Sequence, residues 1–224
     1  MLGKMLSIVL TGAALLSGSK NAALPEKDIG GTIFLVNRQH VISEQYVPEP
    51  LRKTQVYGMS QSMREDAATA LEELFQAAQA DGIKLSSVSG YRSYSKQSLL
   101  YDRKTKRTGS ETEADKLVAR PGASEHQLGL AMDLATRNSS TLSEKFGSTP
   151  EGQWVYANCQ RFGFIVRYLK GYEDVTGYSF EPWHIRYVGP EHAEAIAASG
   201  LPFETYLSGW KLELYDYLLH HAMN

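Results

Sequence analysis

The 224-residue chain has a single cysteine, Cys159, which excludes an internal disulfide and any metal site built on cysteine pairs. A bound metal would have to rest on histidine and carboxylate. An excess of one charge is also lacking. Lys and Arg number 23 against 25 Asp and Glu, a formal net charge of −2, and no block of like charge marks a polybasic or acidic tail. This disfavours phosphate-backbone recognition, so no nucleic-acid partner is expected, and nothing in the chain implies a stable protein partner. Missing too is an apolar run able to span a hydrocarbon core about 30 Å thick. Met5 to Leu16, broken by Ser7, Thr11 and Gly12, falls short of the roughly 20 residues a spanning helix needs. No repeat with a period of roughly 20–50 residues occurs. What is present, 42% hydrophobic residues, is enough for one sizeable core.

The N-terminus has the composition of a signal segment. Lys4 precedes the apolar stretch, and the small residues Ser17, Gly18 and Ser19 follow it. Ser17 to Glu26 then reads as a polar spacer. Residues 1–31 are therefore expected to be a signal-like segment and spacer and residues 32–224 one domain, exported to the periplasm or cell envelope. If the segment were retained it would tether the domain to a membrane; no cysteine is placed for lipidation.

Further along, Thr32 to Val36 has strand character, and Pro48 and Pro50 punctuate an extended lead-in to Leu51 that wraps the core. Apolar residues spaced by three and four (Ala67, Ala70, Leu71, Leu74, Phe75, Ala78) predict an amphipathic helix from Met63 to Ala80, ended by Asp81-Gly82. Ile83 to Ser89 alternates as a strand, and a second helix starts over Ser95 to Tyr101. The polar stretch from Lys104 to Arg120 reads as a mobile loop or short helix. Gly129 to Leu134 reads as a buried strand, and Glu151 to Cys159 as a helix burying Trp154, Val155 and Ala157. Phe162 to Tyr168 and Trp183 to Val188 are aromatic and β-branched and read as strands. Helices follow over Glu191 to Ala198 and near Trp210 to Leu219. Without a regular strand-helix rhythm, this order predicts an α+β fold, a mostly antiparallel central sheet flanked by helices.

Two clusters concentrate metal-competent side chains: Ser124 to Asp133, which contains His126, and Glu181-Pro182-Trp183-His184. His126, Asp133 and His184 supply two imidazoles and a carboxylate, the ligand count of a catalytic zinc centre that keeps its fourth position open. Seven extended residues span about 23 Å, so the chain must fold back between His126 and Asp133. Gly129 suits a turn; the rival, a continuous helix, would carry that glycine in its middle at about 1 kcal/mol. Glu181 and His184 would face opposite ways on a straight strand, so they share a site only if the chain bends near Pro182, which also keeps Glu181 out of the helical region. If Glu181 is not a ligand, it is placed to act as general base and then acid, with Trp183 walling the site. Taken singly, a histidine beside a strand is more often a hydrogen-bonded structural group and an aspartate at a strand end a turn or cap residue; it is their company that argues for a metal. His40, His192, His220 and His221 lack that company and are expected at surface or terminal positions.

The motifs Ser-x-His-x-x-Gly-x-Ala-x-Asp at Ser124 to Asp133 and Glu-x-x-His at Glu181 to His184 resemble those of VanY-type D-alanyl-D-alanine carboxypeptidases, zinc peptidoglycan peptidases grouped with lysostaphin-type and hedgehog domains. The resemblance extends to Ser89-Gly90-Tyr91-Arg92-Ser93 with Gln97, to Gly163-Phe164-Ile165 with Arg167-Tyr168, and to Arg186-Tyr187-Val188-Gly189, covering about residues 33 to 210. It implies a single domain of that fold with Zn2+ on His126, Asp133 and His184, and Glu181 as the base that later protonates the leaving D-alanine. It further implies that Arg92 and Gln97, with Ser124 and Tyr168, hold the terminal carboxylate of a peptidoglycan stem peptide. Two alternatives stay open, an L,D-carboxypeptidase acting on tetrapeptide stems and a non-catalytic, zinc-containing wall-binding domain.

Overall fold

A helix dense in small and branched apolar residues organises the larger of two apolar cores. In the computed structural model, which describes residues 31–221 with side chains described up to Leu212, this helix, α1, spans Glu65–Ala80 and buries Ala67, Leu71, Leu74 and Ala78 along one stripe. Glu65 and Asp66 occupy its first turn, where negative charge complements the helix dipole. Ahead of it, β1 (Leu51–Lys53) and β2 (Ser62–Arg64) form a short antiparallel pair. After it come β3 (Leu85–Ser89), α2 (Tyr94–Thr108), α3 (Glu111–Leu117), β4 (Ala131–Thr136), α4 (Pro150–Asn158) and β5 (Phe164–Tyr168). The short α5 (Glu173–Thr176), β6 (Glu181–Tyr187), α6 (Pro190–Ser199) and α7 (Phe203–His221) complete the order.

The main sheet is antiparallel throughout, in the order β3-β4-β6-β5, so the α+β expectation holds for the described residues. Because successive side chains of a strand alternate between faces, Met132, Leu134, Phe164, Val166 and Ile185 point into the core with α1. Asp133, Arg167, His184 and Arg186 take the other parity and are buried as well. A second apolar cluster of Ile165, Val188, Ile196, Phe203, Leu207 and Trp210 packs α6 and α7 onto the sheet. Among the described residues no helix is long and apolar enough to cross a membrane.

Several elements differ from the sequence expectation for identifiable reasons. Thr32 to Val36 forms no strand: the carbonyls of Thr32 and Phe34 accept from Arg186 Nη2 at 2.9 and 2.8 Å, a side chain taking the place of a neighbouring strand. Phe34 and Val36 are nonetheless buried, and the lead-in is strapped down further by Gln127 Nε2 on the Ser43 carbonyl at 2.8 Å. Met63 belongs to β2 and the helix starts at Glu65. Of the two readings of Lys104 to Arg120, loop or short helix, the helical one holds: the stretch contains the end of α2 and all of the seven-residue α3. Ser110 Oγ accepts from Glu113 N at 3.4 Å, a cap followed by acidic first-turn residues, and the helix-forming Lys, Arg and Glu leave no apolar stripe to mark the helix because few are buried. In α4, Trp154 is half-buried with its Nε1 on Asp81 at 2.8 Å and Val155 buried, but Ala157 is exposed. The last helix begins at Phe203 rather than near Trp210, since Phe203, Tyr206, Leu207 and Trp210 repeat at helical spacing toward the core. His192 is half-buried rather than a surface residue, with Nδ1 2.9 Å from Tyr206 Oη, and burial pushes it down to about 4. His40 is exposed. The signal-like segment, apart from Gly31, and the side chains of His220 and His221 lie outside the described residues.

Leu71, fully buried in α1, tests the core. Leu71→Ala is expected to lower the unfolding free energy by about 2–5 kcal/mol, seen as a lower urea midpoint with an unchanged slope.

Candidate metal centre

Asp133 and His184 are register partners across β4 and β6, which brings Asp133 Oδ1 to 3.0 Å from His184 Nδ1. His126 arrives from a 3-10 turn, Glu125–Leu128, that ends at Gly129 with φ +69°, a conformation that glycine adopts without the Cβ penalty. The fold-back between His126 and Asp133 is therefore a turn followed by a strand, and His126 Nε2 stands 3.3 Å from Asp133 Oδ2. Gly90 fixes the far side of the ring. Its carbonyl accepts from His126 Nδ1 at 2.8 Å, leaving Nε2 free toward the site, and a Cβ on Gly90 would sit 2.6 Å from the Ser62 carbonyl. The two imidazoles meet edge to face, centroids 4.9 Å apart.

Glu181 reaches the same place through an irregularity. Val166 faces Ile185 and Tyr168 faces Glu181, so Pro182, Trp183 and His184 stand opposite Arg167 alone. The bulge breaks the alternation that would separate Glu181 from His184, and Glu181 Oε2 lies 3.9 Å from His184 Nδ1.

A ligand atom from each of His126, Asp133 and His184 lies within 4.8 Å of the others. Four ligands around an ion at about 2.1 Å stand roughly 3.4 Å apart, so the donor set and the 3.0 and 3.3 Å separations fit a small divalent cation. The electrostatics agree. Burial lowers the His126 pKa and the Arg92 charge lowers it further, which keeps a neutral imidazole available. Burial would also lower His184, but Asp133 and Glu125 outweigh it and lift the ring to about 9; the carboxylates favour positive charge here. Asp133 sits well below the ordinary carboxylate range because His126 and His184 overcome its burial. Glu181 is pushed by burial up to about 7, with His184 opposing and Asp133 adding to the rise.

Glu125, an unspecified position of the Ser-x-His motif with no role assigned from sequence, is the hub beneath the site. It is 1% exposed; its Oε1 accepts from Arg167 Nε at 2.7 Å and lies 2.9 Å from Arg186 Nη1, and its Oε2 is 3.5 Å from His184 Nε2. Arg167 also donates twice to Glu204, at 2.9 and 2.6 Å. Two buried guanidiniums are thus balanced by two carboxylates, and Glu125 faces the back of the His184 ring while Nδ1 turns to Asp133, the arrangement that orients metal-binding imidazoles. A glutamate before a histidine carries no such signal; only pairing across the fold reveals it.

A cleft of about 460 Å³ opens over these groups. Besides the three histidine and aspartate candidates and Glu181, it is lined by Arg92, Gln97, Ser124, Tyr168 and Trp183, so all nine residues singled out from the sequence converge on it. Arg92 has a buried Nε without a hydrogen-bond partner. Gln97 donates from Nε2 to the Ala119 carbonyl at 2.6 Å and keeps a buried, unpartnered Oε1, an acceptor that suits a substrate N–H better than a carboxylate.

Removing Glu125 leaves Glu204 alone against two buried guanidiniums, with Arg167 still paired to it and Arg186 uncompensated. Glu125→Ala is expected to cost about 3–5 kcal/mol in chemical denaturation, whereas the isosteric Glu125→Gln is expected to weaken divalent-metal affinity about 10–100-fold by metal-buffer titration.

A family model for the VanY D-alanyl-D-alanine carboxypeptidases matches residues 60–190. The chain is 44% identical over 181 residues to a putative carboxypeptidase, YodJ, of Bacillus subtilis (strain 168), covering 78% of this chain and 66% of that relative's length. It also superimposes on the LdcB LD-carboxypeptidase with a TM-score of 0.75 at 42% identity, over 82% of this chain and 87% of the other. A vancomycin-resistance D,D-pentapeptidase, VanY, solved with Zn(II), matches at a TM-score of 0.68 and 38% identity, over 79% and 98% of the two chains.

Proposed function

Because the chain belongs to the VanY D-alanyl-D-alanine carboxypeptidase family, we propose that it is a zinc-dependent carboxypeptidase removing the C-terminal D-alanine from peptidoglycan stem peptides. The observation that carries this reading is the meeting of His126, Asp133 and His184 with Glu181, whose Oε2 is 3.9 Å from His184 Nδ1. His126, Asp133 and His184 hold Zn2+ in this reading, consistent with the zinc complex of the similar pentapeptidase. When bound, the ion supplies a Lewis acid that polarises the scissile carbonyl and brings the pKa of a water to about 7.

The remaining work falls to the chain. Glu181 takes the proton of the attacking water and hands it to the departing amine nitrogen; a carboxyl raised to about 7 by burial is suited to hold and release a proton near neutral pH. Arg92, whose buried Nε has no partner, pairs with the terminal carboxylate and so selects chain ends. Ser124 and Tyr168 add donors beside it, Gln97 accepts from the peptide, and Trp183 shields the reacting carbonyl from bulk water. Residues 32–224 act as the catalytic domain. The signal-like pattern of residues 1–31 supports export to the cell envelope, with a membrane tether if that segment is retained.

The likeness to an LD-carboxypeptidase at 42% identity favours one second reading, release of D-alanine from tetrapeptide stems. Incubation of the zinc-loaded protein with pentapeptide and tetrapeptide stems, followed by mass analysis, separates them: loss of one alanine from the pentapeptide supports the first, from the tetrapeptide the second. Turnover of neither, or turnover that survives a chelator, overturns both. Glu181→Gln is expected to retain zinc and lose about 10²–10⁴-fold in kcat; loss of zinc in that variant would make Glu181 a ligand.

A further inference from the structure

Helix α2 carries more positive charge toward the cleft than the reaction requires. Gln97, Leu100, Arg103, Lys104 and Arg107 recur at spacings of three and four, so they share one face, and all five line the cleft. Among the described residues, Arg103, Lys104 and Arg107 form no ion pair, although Arg120 nearby is held by Asp115 at 2.8 Å and Glu111 at 3.3 Å. The pKa of Lys104 is lowered by partial burial and by the like charge of Arg107, with Glu181 pulling the other way. Crowded like charge on a wall of a substrate cleft, in a chain of net charge −2, is a local arrangement that an anion would relieve.

We propose that Arg103, Lys104 and Arg107 form a subsite for a carboxylate carried by the stem peptide on the acyl side of the scissile bond. The inference rests on the peptidase reading above and deepens it. Arg92 precedes the helix and faces the terminal carboxylate, whereas Arg103 and Arg107 lie about 14 and 20 Å along the helix axis from Tyr94. Three residues of extended peptide cover about 10 Å, and long basic side chains close the remainder. The second anion is therefore not the chain end but a carboxylate two or three residues before it. Two sources share that chemistry: the side-chain carboxylate of the third residue from the C-terminus, and the free α-carboxylate of a γ-linked glutamate preceding it. Guanidinium groups suit either through paired hydrogen bonds.

The test uses the full chain, zinc-loaded, and four synthetic stems ending in D-Ala-D-Ala. They carry carboxylate or carboxamide at each of the two positions. The parent is expected to cleave a carboxylate stem with a kcat/KM about tenfold above its carboxamide counterpart, the lower end for charge-assisted hydrogen bonds given the exposure of these arginines. The position showing the preference identifies the source. In R103Q/R107Q that ratio is expected to collapse to about one. Equal cleavage of carboxylate and carboxamide by the parent, or a ratio that persists in the variant, overturns the proposal. Affinity of the Glu181→Gln protein for the same stems, measured calorimetrically, separates the two readings. Tighter binding of carboxylate stems without turnover by the parent would retain the subsite and sink the catalytic assignment. Retention of the parent but not the variant on a poly(glycerol phosphate) matrix, without any peptide preference, would assign the face to an anionic polymer and overturn the proposal as well.

Discussion

The pairing of β4 with β6 sets Asp133 opposite His184, and every other feature of the centre is arranged around that register. A one-residue slip of either strand would turn that strand's own member of the pair, Asp133 or His184, onto the core face and separate the two. His126 depends on it too, because the turn that delivers its ring ends at Gly129, just ahead of β4. The bulge opposite Arg167 then brings Glu181 into the same space. Three local devices, a ladder, a glycine turn and a bulge, place four side chains from two distant stretches within one small volume.

A polar centre under a packed sheet must offset the cost of desolvation. Here the layer beneath the metal candidates is ionic rather than apolar. Arg167 and Arg186 bracket Glu125, Glu204 closes the charge balance, and Arg186 donates from Nη2 to the carbonyls of Thr32 and Phe34 and from Nε to that of Tyr187. The same guanidinium therefore supports the site and pins the lead-in segment. Such a network contributes orientation more than net stability, since buried ion pairs largely repay their own desolvation. Its consequence for function is that the His184 ring has little freedom to turn away from Asp133.

Much of this was legible in the sequence, and what was not follows a pattern. The apolar stripe of α1, the alternation of β3 and the aromatic runs of β5 and β6 report burial directly, so periodicity located them. His126, Asp133, Glu181 and His184 stood out because their side-chain chemistry is scarce and clustered. The lead-in from Thr32 to Val36 looked like a strand because burial, not pairing, dictates its residues. The end of α2 and all of α3 stay ambiguous in the sequence between loop and short helix because their exposed faces are charged, and the basic face of α2 is hidden with them. Glu125 escaped because its partner Arg167 lies 42 residues away and only the tertiary fold joins them.

The most direct test is zinc stoichiometry on the purified, folded chain. One ion per chain is expected by elemental analysis after exhaustive dialysis, falling to background in His126→Ala, Asp133→Ala and His184→Ala proteins that keep the parent's circular dichroism. A parent that takes up no zinc, or single replacements that keep a full equivalent, would contradict the account at its centre.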